Sequence, residues 1–225
     1  MTVSTVYGAE AAVAAPAPAA GTAKQAKETA QSAADVPSAR VAARLYKHRV
    51  EALSERSETS TTWVNPDGSL TTEVAAGPIR FKDAATGEWR DVDVNLAAAP
   101  DGSVAAKAHP QGLRLSGKTG TKVSFLKTAQ PAEATDLVTL GTGDEAITLQ
   151  WRGGLPAPKL DGTRATYEAA MPGGDLIVEA TRTGFEQFVE VKAKPEAGFG
   201  YTLPLKTKGL KIEQQPDGSV LFTDK

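Results

Sequence analysis

Three copies of one turn constrain this chain more than any other feature. Pro66-Asp67-Gly68-Ser69-Leu70, Pro100-Asp101-Gly102-Ser103-Val104 and Pro216-Asp217-Gly218-Ser219-Val220 share one frame. Proline presets φ at the first turn position, aspartate accepts the local hydrogen bonds, and glycine takes the positive φ of the left-handed corner. Serine and an apolar residue then launch a strand. Each copy therefore predicts a closed hairpin, and their unequal spacing argues against a solenoid.

Between these turns the apolar residues alternate with period two. The strand-like runs are Thr61–Asn65, Ser69–Val74, Pro78–Lys82, Glu88–Leu96, Leu113–Ser116, Lys122–Lys127, Ala146–Trp151, Ala165–Ala169, Asp175–Arg182, Gly184–Lys194, Gly200–Leu205, Leu210–Glu213 and Ser219–Thr223. With 21 Gly and 14 Pro in 225 residues, turns are frequent enough to separate them. The expected fold is mainly β, an antiparallel β-sandwich-like arrangement rich in hairpins. One amphipathic helix precedes it. From Asp35 to Glu58 the residues Ala39, Ala42, Ala43, Tyr46, Val50 and Leu53 recur every three or four positions, with Asp35 as cap and Pro37 in the first turn.

The ends read differently. Residues 1–34 are Ala/Pro-rich and carry too little apolar surface to offset the entropy of ordering, which predicts a disordered linker. Small-x-small patterns at Ala9/Ala11 and Ala12/Ala14 fit the tail of a secretory signal, and a plain low-complexity start fits them too. At the other end the hairpin after Gln214 runs straight to Lys225, so the expectation is the head of a longer chain. The expected division is 1–34 linker, 35–58 helix, 59–142 first β domain and 143–225 a second, truncated β domain.

Composition removes several classes of function. There are no cysteines, which excludes disulfides and Cys-ligated metals. Lys+Arg number 25 against 27 Asp+Glu, a net charge of −2 that argues against nucleic acid as partner. No apolar run of membrane-spanning length occurs. No cofactor is implied.

Candidate chemistry reduces to a few constellations. Gly112–Thr119 matches G-x-x-x-x-G-K-T, but Leu113 and Leu115 alternate as a strand inside it and the following Gly120–Leu126 alternates as another, so a hairpin is expected rather than a phosphate loop. Asp91, Asp93 and Asn95 have the one-apart spacing of a calcium loop without its Gly and Glu; they read as one face of a strand, opposite Val92, Val94 and Leu96. Glu186 and Glu190 flank Phe188 on one strand, too far apart for a glycosidase pair unless another strand supplies a partner. His48 and His109 lack metal-ligand spacing, and no serine sits in a nucleophile elbow. The expectation is a non-enzyme. Trp63, Trp89 and Trp151, with Asp91 and Asp93 beside them, make a glycan- or cell-wall-binding surface the alternative; a carbohydrate-active or other hydrolase fragment built on the scattered acids is a further one.

Ser54–Glu73, Gly77–Phe81, Trp89–Asp93, Tyr167–Phe188 and Gly209–Ile212 with its Pro-Asp-Gly turn resemble the N-terminal region of very large secreted actinobacterial proteins with RHS (YD) repeats. These are related to wall-associated proteins of Gram-positive bacteria and often carry a DNRLRE-type β domain. The resemblance implies a polymorphic-toxin-like architecture: an export signal, a β-rich head, a repeat shell and a variable tail that holds the activity. This chain matches the head only, so no catalytic residue carries over. The implied role is a secreted or cell-surface module that holds, caps or presents the downstream RHS-repeat shell.

Overall fold

The computed structural model describes residues 31–119, 133–194 and 200–224. Residues 1–30 of the expected linker and the expected strand Lys122–Lys127 lie outside the described residues; the linker's end is not disordered as expected, because Ser32 and Ala33 pair in parallel with Glu51 and Ala52. Two compact units emerge: one holds the residues up to Arg56 with Thr61–Glu73, the other Ser57–Ser60 with Val74 onward.

The first unit is a helix, α1 (Val36–Tyr46), with a four-stranded sheet of β1 (Ser32–Ala33), β2 (Val50–Ala52), β3 (Ser60–Val64) and β4 (Leu70–Val74) in that order. Asp35 caps α1 as expected, accepting from the Ser38 N–H at 2.8 Å, and Pro37 lies in the first turn. The helix is much shorter than the predicted 35–58. Lys47 adopts φ 58° and donates to Ala43 O at 3.0 Å, a left-handed C-terminal stop. Val50 and Glu51 then pair with Val64 and Trp63, so two residues of the expected helical stripe belong to a strand and to the turn after it. Sheet pairing overrode helical periodicity here, because a three-residue strand with both neighbours present buries Val50 and Ala52 completely. The core is built from small side chains: Ala39, Ala43, Val50, Ala52 and Val64. Glu51 is nearly buried and is held by a two-pronged bond from Arg56, Nε to Oε1 at 2.7 Å and Nη2 to Oε2 at 2.9 Å.

The second unit begins with a ribbon of β5 (Arg80–Lys82) and β6 (Trp89–Asp91). There follow β7 (Asp93–Ala98), β8 (Val104–Ala108), β9 (Leu113–Leu115), β10 (Ala134–Leu140), β11 (Ile147–Arg152), β12 (Lys159–Asp161), β13 (Arg164–Met171), β14 (Gly174–Thr181), β15 (Gly184–Val191), β16 (Leu205–Thr207), β17 (Leu210–Gln214) and β18 (Val220–Asp224). A six-stranded sheet, β16-β11-β10-β9-β8-β7, and a four-stranded sheet, β12-β13-β14-β15, share one apolar core. Leu96, Val104, Leu115, Leu137 and Trp151 from the first meet Tyr167, Leu176 and Val178 from the second. The mainly-β, sandwich-like, hairpin-rich fold is therefore as the alternation implied.

Several features of this unit differ from what alternation implied, and β10 answers to no expected run. The boundary expected at 142/143 falls between β10 and β11, which pair along their length, so the two halves build one sandwich rather than two domains. The run Glu88–Leu96 is broken at Val92, whose N–H donates to Ile79 O at 3.0 Å, and its halves join different sheets. Of the run Gly200–Leu205, only Leu205 is in a strand. β17 and β18 form a separate two-stranded hairpin on which Ile212, Val220 and Leu221 are each about half exposed.

Candidate functional site

The three Pro-Asp-Gly-Ser turns are superimposable in their bonding. Gly68, Gly102 and Gly218 have φ of 89°, 83° and 86°. Their N–H groups reach back to Asn65, Ala99 and Gln215 at 2.9, 3.0 and 3.0 Å. In each, the aspartate Oδ1 accepts the serine N–H two residues on and the serine hydroxyl, the latter at 2.7 Å in the first and third and 2.6 Å in the second. The serine hydroxyls, and then the amides, hold Asp67, Asp101 and Asp217 below the ordinary carboxylate range. A fourth relative closes β8–β9: Gly112, φ 81°, donates to His109 O at 3.1 Å across Pro110-Gln111. Glutamine in place of aspartate concealed it in the sequence.

The phosphate-loop look-alike is a packed strap. Leu113–Leu115 is β9, inside the would-be loop. Ser116 N–H donates to Leu137 O at 2.9 Å, and Ser116 O receives the Tyr167 hydroxyl at 2.6 Å. Thr119 N–H donates to Leu155 O at 3.0 Å while its hydroxyl oxygen accepts the Leu155 N–H at 2.8 Å. Gly117 abuts the Gly102 turn so closely that a Cβ there would lie 1.8 Å from Gly102 O. The Gly, Ser and Thr of the motif thus have structural partners.

The residues singled out for glycan contact do not converge. Trp151 is 6% exposed in the sandwich core, against Tyr201 at a ring separation of 6.2 Å, so its face is closed to a sugar. Trp63 belongs to the first unit, under the Arg49 guanidinium at 4.3 Å; Arg49 also bonds Glu73 at 2.7 Å and lowers that carboxyl's pKa. Trp89 and Asp91 share one face of β6, with Lys82 Nζ 5.5 Å over the indole. Asp93 is turned inward on its own chain: Oδ1 accepts the Asn95 N–H at 3.0 Å and Nδ2 at 2.7 Å, and these bonds, the backbone one first, hold its pKa down. The expected common face of Asp91 and Asp93 is lost with the break at Val92.

The acids of the outer sheet face do meet neighbours across strands. Asp175 pairs with Glu190 and Glu179 with Glu186. Lys192 reaches Asp175 at 3.0 Å and Glu190 at 3.3 Å, while Arg164 lies 3.6 Å from Glu179. Asp175 is nearly buried and accepts the N–H of Ala169 at 2.9 Å; Ala169 sits at φ 51° in a bulge of β13. That amide is the first cause, and Lys192 the second, of the lowered Asp175 pKa. Among the described residues, no three His, Asp or Glu side chains gather around a common point for a metal.

A cleft of about 390 Å³ has Phe81, Arg90, Lys107, His109, Arg114 and Thr139 in its lining. Alternation on β6 puts Arg90 on the face opposite Trp89, where Nη2 donates to Lys107 O at 2.8 Å. Sequence reasoning missed this recess, because it arises where Arg90 of β6 bonds the backbone of β8 and not from spacing along the chain. His109 is 6% exposed and fully engaged: Nε2–H donates to Thr181 O at 3.0 Å and Nδ1 accepts the Gln111 N–H at 3.3 Å. Burial pushes its pKa below the usual imidazole value.

A sign follows for pH. A histidine held neutral when folded binds fewer protons than when unfolded, so its share of stability is present above the unfolded pKa near ~6.5 and is lost as pH falls below it. We expect the denaturation free energy of the chain to drop between about pH 7.5 and 5.5, with a slope of at most about 1.4 kcal/mol per pH unit from this one group. A His109→Gln variant should flatten that limb. An identical slope in wild type and variant would refute the assignment.

Compared with family models, curated proteins and solved structures, the chain has no significant match.

Proposed function

We propose that the chain is a non-catalytic β-rich head module of a secreted or cell-surface RHS-repeat protein of polymorphic-toxin-like architecture, whose work is to hold, cap or present the repeat shell. One observation carries this reading. Shifted carboxylate pKa values commonly mark active sites, yet among the described residues seven carboxylates with lowered pKa are bound up in local structure. Asp35 caps α1, Asp67, Asp101 and Asp217 close hairpins, Asp93 braces the register shift at the start of β7, Asp175 holds a bulge and Glu73 pairs with Arg49. The ionisable groups specify shape, which suits a scaffold. The family part of the proposal rests on the sequence resemblance.

Co-expression with a shell segment of RHS repeats tests it. The chain should co-purify with the shell and become resistant to limited proteolysis. A chain that neither co-purifies nor gains protection would remove the proposal. A wall-glycan role is the second reading, favoured by Trp89, whose indole is only half-buried on β6 with Lys82 Nζ 5.5 Å over it. Saturable retention on purified peptidoglycan, lost in Trp89→Ala, would move the assignment to that reading.

A further inference from the structure

The hairpin Leu210–Asp224 leaves one long edge unpaired and codes for what can pair with it. Its turn bond, Gln215 N–H to Ser219 O at 2.8 Å, marks a position where the β17 backbone points toward β18. Antiparallel alternation from that pair turns the N–H and C=O groups of Gln214, Ile212 and Leu210 away from β18, toward the free edge. Among the described residues no strand lies on that edge. Ile212 is 49% exposed, and Lys211, Glu213 and Gln214 are exposed as well. Among the described residues the edge carries no proline, bulge or covering strand; Lys211 is its one positive charge, and Glu213 beside it makes that charge something a matching partner can pair.

The sequence of β17 is self-complementary about Ile212. Laid antiparallel against a second β17, Ile212 meets Ile212 of the other copy, Lys211 meets Glu213, Glu213 meets Lys211, and Leu210 meets Gln214. In this register Leu210, Ile212 and Gln214 sit at the hydrogen-bonded positions, where both partners aim their backbone groups outward. Lys211 and Glu213 fall at the non-hydrogen-bonded positions, where side chains come closest, so both ion pairs have the better geometry. Any register shifted by two residues loses the central Ile pair and at least one charge pair. The two-fold axis perpendicular to the sheet also keeps Leu210, Ile212, Val220 and Phe222 of both copies on one face, as their pairing in the hairpin requires.

We propose that this chain self-associates through the β17 edge, forming a two-fold dimer with a continuous four-stranded sheet β18-β17-β17-β18. The occupant of the edge is a second copy of the chain. The contact is small, so the dimer is weak and reversible. It does not depend on the RHS assignment.

Charge reversal in the full chain tests the register. Wild type should shift from monomer toward dimer by sedimentation velocity as concentration rises to about 200 µM, a range in which small interfaces populate. Lys211→Glu and Glu213→Lys each place like charges opposite one another twice, and each should weaken dimerisation about tenfold or more. Mixing these two variants restores both ion pairs across the interface, so a heterodimer should form where neither variant alone does. Lys211 and Glu213 stand opposite Thr223 and Leu221 within the hairpin, so neither change breaks a directly cross-strand ion pair there. Ile212→Pro removes only an outward N–H, spares the β17–β18 ladder and should abolish association. A wild type that stays monomeric over this range overturns the proposal. So does a dimer indifferent to all three variants, or single variants that fail to rescue each other.

Discussion

Replacing Tyr167 by alanine is expected to destabilise the sandwich by about 4 kcal/mol, the cost of emptying a large buried aromatic site. Tyr167 is 0% exposed and stands on β13 within the shared core of the two sheets. Its hydroxyl donates to Ser116 O at 2.6 Å, and burial pushes the phenol pKa upward, so the ring stays neutral throughout the accessible pH range. Two contributions can be separated. Tyr167→Phe keeps the ring and takes the donor from the half-buried Ser116 carbonyl, which costs about 1 kcal/mol; the remainder belongs to packing. Urea denaturation of the three proteins measures both steps. Equal midpoints for Tyr167→Phe and wild type would show that Ser116 O finds another donor.

Gly117→Ala is expected to cost about 3 kcal/mol, a large penalty for adding one methyl group. The added carbon would lie 1.8 Å from Gly102 O and 2.9 Å from Gly102 C. Both are backbone atoms of a turn already fixed by Asp101 and Ser103, so neither can move aside cheaply. The neighbouring Gly112 occupies a different situation: it has positive φ and only a side-chain methyl, of Thr142, near its Cβ position. Gly112→Ala therefore tests backbone strain alone and should cost about 1 kcal/mol. If the two alanine variants melt together, the strap does not press on the turn.

These two sites show what could be read from the chain and what could not. Tyr167 was identifiable as a strand residue by alternation, but its pairing with Ser116 spans 51 positions and leaves no local signal. Gly117 was visible as part of a motif whose strand-like alternation already spoke against a phosphate loop, but its close approach to Gly102 left no sign in the sequence. The helix end was misread because Val50 and Leu53 continue the helical period; only the strand β3 on which Val50 pairs reveals the competing structure. Trp151 could not be told from an exposed tryptophan, since period-two alternation names two faces without saying which one a second sheet will cover.

The sequence by itself determined the local geometry. Pro-Asp-Gly-Ser specifies its own turn, because every bond that holds it runs between residues at most four apart, and all three copies came out alike. Alternation and frequent turns likewise determined that the chain is mainly β. Tertiary structure alone decided which strands share a sheet, that residues on both sides of position 142 build one core, and that β17 has no second strand beside it among the described residues. The physical reason is common to all of these. Turn bonds are local and legible in a handful of letters, whereas sheet order and burial depend on apolar surfaces meeting across long stretches of chain, and period two says only that a partner is needed.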